Sequence, residues 1–332
     1  MSQDWNYPES ISLAQLPTPL KPLQRLSQKL DVEILSKRDD LTGAALSGNK
    51  IRKLEFLLAE AMAQKATGVV TCGGEQSNHA RATAVAAAQL GLKAHLVLRT
   101  SNPKQPPLAQ ANILLDKMVG ASIHWISPEQ YAQRNEIMRE EATRLEKAGG
   151  EKYFVIPEGG SDELGAWGYV RCIEELAKQL GNKPATLLYA IGSGGTAAGI
   201  IAGIQLFNLP YRAIGICVCD DRLTFQNRIS EILQQMKERY QLPLTIQPPE
   251  IEIWEDYVGL GYAISRDEEL QAMADLAQLE GIITDPVYSG KALYGMLSRI
   301  DAGEELQAPL VFLHTGGIYG LFAKAEQLGR LL

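Results

Sequence analysis

The sequence predicts an α/β protein made of two doubly wound domains with mostly parallel sheets. Three observations lead there. Strand-length apolar runs alternate with helical stretches of ten or more residues along nearly the whole chain, the pattern of parallel sheets covered on both faces. Four of the strand ends carry glycine-rich or small-residue turns that run straight into helices, at the position where open α/β sheets bind ligands. The length, 332 residues, suffices for two domains with cores of their own.

Taken in order, Leu16-Pro17-Thr18-Pro19-Leu20 is an extended entry stiffened by proline. Val32 to Leu35 reads as a short strand leading into the charged loop Lys37-Arg38-Asp39-Asp40. Ser47-Gly48-Asn49 is a flexible turn before a helix starting at Lys50, in which Ile51, Leu54, Leu57, Leu58 and Ala61 share one apolar face. Strands follow at Gly68 to Cys72, Ala94 to Leu98 and Ser122 to Ile126, separated by helices at Asn78 to Leu90 and Leu108 to Val119. A long polar helix, Glu129 to Ala148, precedes a strand at Tyr153 to Ile156.

A second series places strands at Leu187 to Ile191 and Ala213 to Val218, with helices at Glu163 to Leu180, Thr196 to Leu206 and Leu223 to Tyr240. Asp267 to Leu279 is a helix with acidic residues in its first turn, as the helix dipole prefers. Leu310 to Leu313 is a last apolar strand. We expect residues 48–160 to form a smaller domain, and residues 1–47 with 161–332 to form a larger one.

The composition is ordinary for a globular chain, 45% hydrophobic and 21% charged. A net charge of −7 argues against a nucleic-acid partner, which needs a basic face. Cys72, Cys172, Cys217 and Cys219 show no paired spacing, so neither a metal site nor a disulfide framework is implied and a reducing cytoplasm is the expected setting. The start, Met1-Ser2-Gln3-Asp4-Trp5-Asn6, has neither the basic nor the apolar region of a secretory signal. Ala185 to Pro210 is uncharged and contains Gly195-x-x-x-Gly199 and Gly199-x-x-x-Gly203. Its glycine loop splits it into pieces too short to span a bilayer, so no membrane partner is expected.

Lys50 stands at a helix N-terminus, where a cation is disfavoured, with Lys53 one turn on. Either both are solvated surface residues, or Lys50 is neutral as a Schiff base while Lys53 meets a phosphate. Cys72-Gly73-Gly74-Glu75-Gln76-Ser77-Asn78-His79 forms a turn whose amides suit a carboxylate. There Ser77 is a binding residue or merely the helix N-cap. Gly192-Ser193-Gly194-Gly195-Thr196-Ala197 suits a phosphate. It also matches a dinucleotide fingerprint, with Asp220 and Asp221 ending the next strand somewhat late for that role. Tyr288, in Thr284-Asp285-Pro286-Val287-Tyr288-Ser289-Gly290-Lys291, is a stacking platform, an acid or a packing residue. Thr315, in His314-Thr315-Gly316-Gly317, offers a neutral hydroxyl at the mouth of the sheet.

In this order, Leu16 to Leu20, Lys37 to Gly43, Gly48 to Glu55, Gln76-Ser77-Asn78, Asp285 to Tyr288 and His314 to Gly317 resemble the pyridoxal-phosphate enzymes of the tryptophan synthase β-subunit superfamily, fold type II. Within it they are similar to the D-cysteine desulfhydrase and 1-aminocyclopropane-1-carboxylate deaminase branch. The resemblance implies pyridoxal 5′-phosphate in a cleft between two domains, an amino-acid substrate and a homodimer. It implies that Lys50 carries the cofactor and moves the α-proton. Lys53, Gly192, Ser193, Gly194, Gly195 and Thr196 would hold the phosphate, Asn78 the ring hydroxyl and Ser77 the substrate carboxylate. Tyr262 and Tyr288 would line the reacting face, with His79 and Ser289 near the substrate.

Deaminases of this branch carry Glu at the Ser289 position and Leu at the Thr315 position. A hydroxyl in place of a carboxylate against the ring nitrogen favours β-elimination over ring opening, so D-cysteine is the expected substrate. Ser47, Leu260 and Glu158 depart from the family pattern, Glu158 by placing a negative charge near an anionic substrate.

Overall fold

The computed structural model describes residues 5–331, so the first four residues of the signal-free N-terminal reading lie outside it. Ten strands form two sheets: β1 (Leu20–Pro22), β2 (Ile34–Lys37), β3 (Gly68–Gly74), β4 (Lys93–Arg99), β5 (Ser122–Ile126), β6 (Tyr153–Val155), β7 (Ala185–Ile191), β8 (Tyr211–Cys217), β9 (Glu252–Trp254) and β10 (Leu310–Leu313). The larger sheet has the order β1-β2-β10-β7-β8-β9 and the smaller β5-β4-β3-β6. Every pairing is parallel except that of β1 with β2.

The strands are apolar along their whole length because both faces are covered. All seven residues of β7 are buried, as expected for a strand in the middle of a parallel sheet. The last strand in the chain, β10, lies centrally between β2 and β7. Proline-stiffened Leu20–Pro22, read as an extended entry, adds an antiparallel edge to β2. At the opposite edge, β9 extends the sheet beyond β8.

Two helical expectations need correction. The segment 129–148 is not one helix: Ser127 and Gln130 form a capping box around Pro128–Tyr131, and a second helix runs from Arg134 to Gly149. The cap satisfies the amides of the first turn, and a turn at 132–133 separates it from the second helix. The other is the helix Lys50–Ala63, which is buried on nearly all sides rather than on one face. The N-terminal segment covers its outer side, with Ile11 N donating to Glu55 O and the amides of Leu13 and Ala14 donating to Glu55 Oε1. On its inner side Gly168 opens the way, since a Cβ there would stand 2.5 Å from the Arg52 backbone. The helix Trp167–Leu180 therefore packs closely against it.

A buried ionic network locks the start of this helix. Asp39 accepts from Arg52 Nε at 2.9 Å and Nη2 at 2.7 Å, from Thr18 Oγ1 at 2.8 Å and from the Tyr169 hydroxyl at 2.7 Å. Glu175 joins it by pairing with Arg52 and with Lys37. No helix among the described residues is long and apolar enough to cross a membrane.

Candidate active site

The carboxyl ends of five strands from both sheets surround one cavity of about 340 Å³. Cys72 to Gly74 come from the end of β3, Arg99 from β4, Ile191 from β7, Cys219 from just beyond β8 and Thr315 from just beyond β10. Parallel strands aim all these ends the same way, which is why residues far apart in the chain converge here.

Lys50, the first residue of its helix, lines the cavity. Its ammonium makes no hydrogen bond or ion pair among the described residues. Burial lowers its pKa to about 8, against the smaller opposing pull of Glu158 and Cys219. An amine so poised is a nucleophile and a base near neutral pH. Labelling of Lys50 by an amine reagent, mapped by peptide mass, should therefore rise with pH and level off above about 8. An unperturbed lysine keeps rising beyond pH ~10; that behaviour at Lys50 would contradict the site.

The glycine loop faces this amine. Gly192, Ser193, Gly194 and Thr196 line the cavity, and the helix Gly195–Leu206 begins there with its free amides. Asn49 Nδ2 donates to Thr196 Oγ1 at 3.1 Å, tying the loop to the lysine helix. Gly192 is required: a Cβ there would fall 2.9 Å from the Tyr288 ring.

Ser77 is the helix N-cap and also stands at the cavity. Its Oγ accepts from Ala80 N at 3.1 Å as the N-cap of Asn78–Gln89, and the residue lines the cavity. Asn78 also lines it, its Oδ1 accepting from Asn112 Nδ2 at 3.0 Å. His79 reaches the cavity wall with Nε2 on Thr71 Oγ1 at 2.8 Å and a buried Nδ1 that has no partner. Burial, then the charges of Lys50 and Lys53, push the His79 pKa well down and keep the ring neutral. Tyr262 and Tyr288 share a hydroxyl–hydroxyl hydrogen bond of 2.6 Å. Burial raises both, Tyr262 to about 12, so they stand in the cavity as neutral proton donors.

Three expected site residues do not line the cavity. Lys53 is buried beneath it, its ammonium donating to Gly159 O at 3.2 Å and Ser161 Oγ at 3.1 Å. Ser161 in turn bonds Ser193 Oγ at 2.8 Å, so Lys53 meets the loop through a hydroxyl. Burial and then the Lys50 charge depress the Lys53 pKa, the convergence of amines that their spacing suggested. Gly195 packs on Ser161, which stands 2.7 to 2.9 Å from where its Cβ would be. Ser289 is fully buried and donates to Asp285 Oδ1 at 2.6 Å. Asp285 is itself satisfied by the amides of Val287, Tyr288 and Ser289. Thr315, by contrast, lines the cavity, and its hydroxyl has no partner among the described residues.

Sequence reasoning missed one whole wall. Tyr131 donates to Glu158 Oε1 at 2.6 Å and Arg134 Nε lies 3.0 Å from Glu158 Oε2. The Arg99 guanidinium stacks 4.8 Å from the Tyr131 ring and 5.7 Å from that of Tyr262. Glu158 is thus a paired member of a polar wall. The break at 132–133 brings Tyr131 and Arg134 to it, and only the Ser127-Pro128 cap signalled that break.

A lysine amine without a counter-ion, opposite an amide-rich loop and neutral tyrosines, defines a site for an anionic aldehyde. The chain belongs to the pyridoxal-phosphate-dependent enzymes, whose family model matches residues 11–316. It is 40% identical to the bifunctional D-cysteine desulfhydrase/1-aminocyclopropane-1-carboxylate deaminase of Arabidopsis thaliana, over 97% of this chain and 82% of that one. It is 41% identical to a D-cysteine desulfhydrase of Yersinia enterocolitica, over 94% of each chain. The crystal structure of a 1-aminocyclopropane-1-carboxylate deaminase homologue superposes with a TM-score of 0.90 at 35% identity, covering 98% of this chain and 97% of that one. A tomato threonine deaminase shares the fold at 17% identity, with a TM-score of 0.63, covering 99% of this chain and 92% of that one. Pyridoxal phosphate is the cofactor, and the free Lys50 amine and the glycine loop fit its aldehyde and phosphate.

Proposed function

We propose that this protein eliminates hydrogen sulfide from D-cysteine: D-cysteine and water give pyruvate, ammonia and hydrogen sulfide. The observation that carries this is Thr315. Its unpartnered hydroxyl is a neutral group at the cavity, while the nearby carboxylate of Asp285 is held by three amides and Ser289. The specificity argument thus rests on Thr315, with Ser289 acting only by fixing Asp285.

The chemistry that pyridoxal phosphate supplies when bound is an electron sink for the α-carbon. Lys50 Nζ takes the α-proton, which an amine with a pKa of about 8 does in its neutral form. The Tyr262–Tyr288 pair, neutral and hydrogen-bonded, gives a proton to the sulfur as the Cβ–S bond breaks. Ser77 and the amides around it hold the substrate carboxylate, Asn78 orients the ring, and His79 closes the wall as a neutral imidazole. The loop Gly192 to Thr196 grips the phosphate, with Lys53 behind it through Ser161. Residues 48–160 are the smaller domain in this reading, and the active form is a cytoplasmic homodimer, which a solution mass tests.

The experiment is a panel of D-cysteine, L-cysteine and 1-aminocyclopropane-1-carboxylate with the keto acid identified. Pyruvate from D-cysteine is expected. Thr315→Val should lower that rate roughly tenfold, the worth of one hydrogen bond, without loss of folded protein. Ring-opening deamination is the second reading, favoured by the names of the relatives; 2-oxobutyrate as the dominant product would establish it instead.

A further inference from the structure

Away from this cavity, towards the amino end of β4, a second cluster has no part in the chemistry above. His95 on β4, His124 on β5 and Glu141 on the helix Arg134–Gly149 each present one donor atom, and all three atoms lie within 4.8 Å of one another. His95 Nε2 stands 3.0 Å from Glu141 Oε2, and His124 Nδ1 stands 3.2 Å from Glu141 Oε1. We propose that His95, His124 and Glu141 form a binding site for a zinc-class divalent cation.

The hydrogen bonds around His95 carry the argument. Its Nδ1 lies 2.7 Å from Ser122 Oγ, and that hydroxyl points to Ala94 O at 3.4 Å. With the serine proton directed at that carbonyl, the serine oxygen accepts from Nδ1–H, and in that tautomer Nε2 carries a lone pair. Nε2 is buried 3.0 Å from a carboxylate oxygen yet has no hydrogen-bond partner, a polar atom left open towards the cluster.

A cation bound to both nitrogens and the carboxylate satisfies every group. Zinc–nitrogen and zinc–oxygen bonds near 2.0–2.2 Å place donors about 3.3 Å apart in a tetrahedron, close to the 3.0 and 3.2 Å that separate the two imidazoles from Glu141. Two imidazoles and a carboxylate suit zinc and its neighbours rather than magnesium, which prefers oxygen ligands alone. The Ser122 contact is the outer hydrogen bond that orients a ligating histidine. His124, 40% exposed, leaves a solvent side for the remaining coordination. Arg144, which now bonds Glu141, is 58% exposed and free to swing away. Bound there, the ion would pin the helix Arg134–Gly149 to β4 and β5. That helix begins at Arg134, on the polar wall of the active site.

The test is calorimetric titration of tag-free, chelator-treated holoenzyme with zinc chloride, with thermal unfolding read in parallel. Stoichiometric uptake and a rise in Tm of a few degrees are expected, since a ligand held only by the folded state stabilises it. His124→Ala, a change at a half-exposed position, should weaken uptake at least tenfold, and Glu141→Gln similarly. Anomalous scattering from zinc-soaked crystals should peak between the three side chains. No uptake, uptake that both variants leave unchanged, or a peak elsewhere overturns the proposal.

Discussion

Lys50→Ala is expected to abolish turnover of every amino-acid substrate and to leave the protein colourless after incubation with pyridoxal phosphate. Loss of a positioned base alone costs roughly 10²–10⁴-fold, and here the covalent anchor of the cofactor goes with it. The variant should fold at least as well as the parent. The Lys50 ammonium has no partner among the described residues, and its depressed pKa means that the folded state disfavours its charge. Tm equal to or above that of the cofactor-free parent, with no absorbance from bound cofactor, is the expected pair of results. Retained activity would remove Lys50 from the chemistry, and a Tm below that of the cofactor-free parent would show that the residue is structural.

Asp39→Ala should have the largest effect on stability. Asp39 is fully buried and Arg52 is 1% exposed, so truncation leaves a guanidinium in the interior with only Glu175 to pair with. Breaking a buried pair from one side costs about 3–5 kcal/mol, a large part of the 5–15 kcal/mol that holds a typical domain folded. Arg52 follows Lys50 by two residues on the same helix. A displaced helix start should therefore also lower activity in whatever protein remains folded, and chemical denaturation with activity per folded molecule separates the two effects.

The same group sets an acid limit. Burial alone would raise the Asp39 pKa, but the charge and hydrogen bonds of Arg52 overrule it and hold the carboxyl below its usual value. A depressed carboxylate contributes stability that is complete above its unfolded pKa of about 4 and is lost as pH falls through the folded value. In the parent, acid unfolding should set in below pH ~4, and Asp39→Asn should flatten that part of the profile.

Much of the site was legible because its pieces are local. A helix starting at Lys50, the glycine turn at 192–195 and the Ser77 cap are each encoded within a few residues. What the sequence obscured was long-range. The Lys50 helix was read as one-faced because nothing local shows that residues 11–14 cover its other side through Glu55. The family resemblance puts Ser289 near the substrate, at the position where deaminases carry Glu. A helix start turns successive residues in different directions, and Ser289 points to Asp285 instead.

The sequence by itself determined the α/β class, the alternation of most strands and helices, the amine, and the glycine and serine turns that line the cavity. These follow from periodicity and backbone preference, which act over a few residues. Only the tertiary structure decided that β10 lies between β2 and β7, that Glu158 is paired with Tyr131 and Arg134, and that His95 and His124 share Glu141. Parallel strands are joined by whole helices, so which side chains become neighbours depends on the register and packing of segments tens of residues apart, and no local pattern records that.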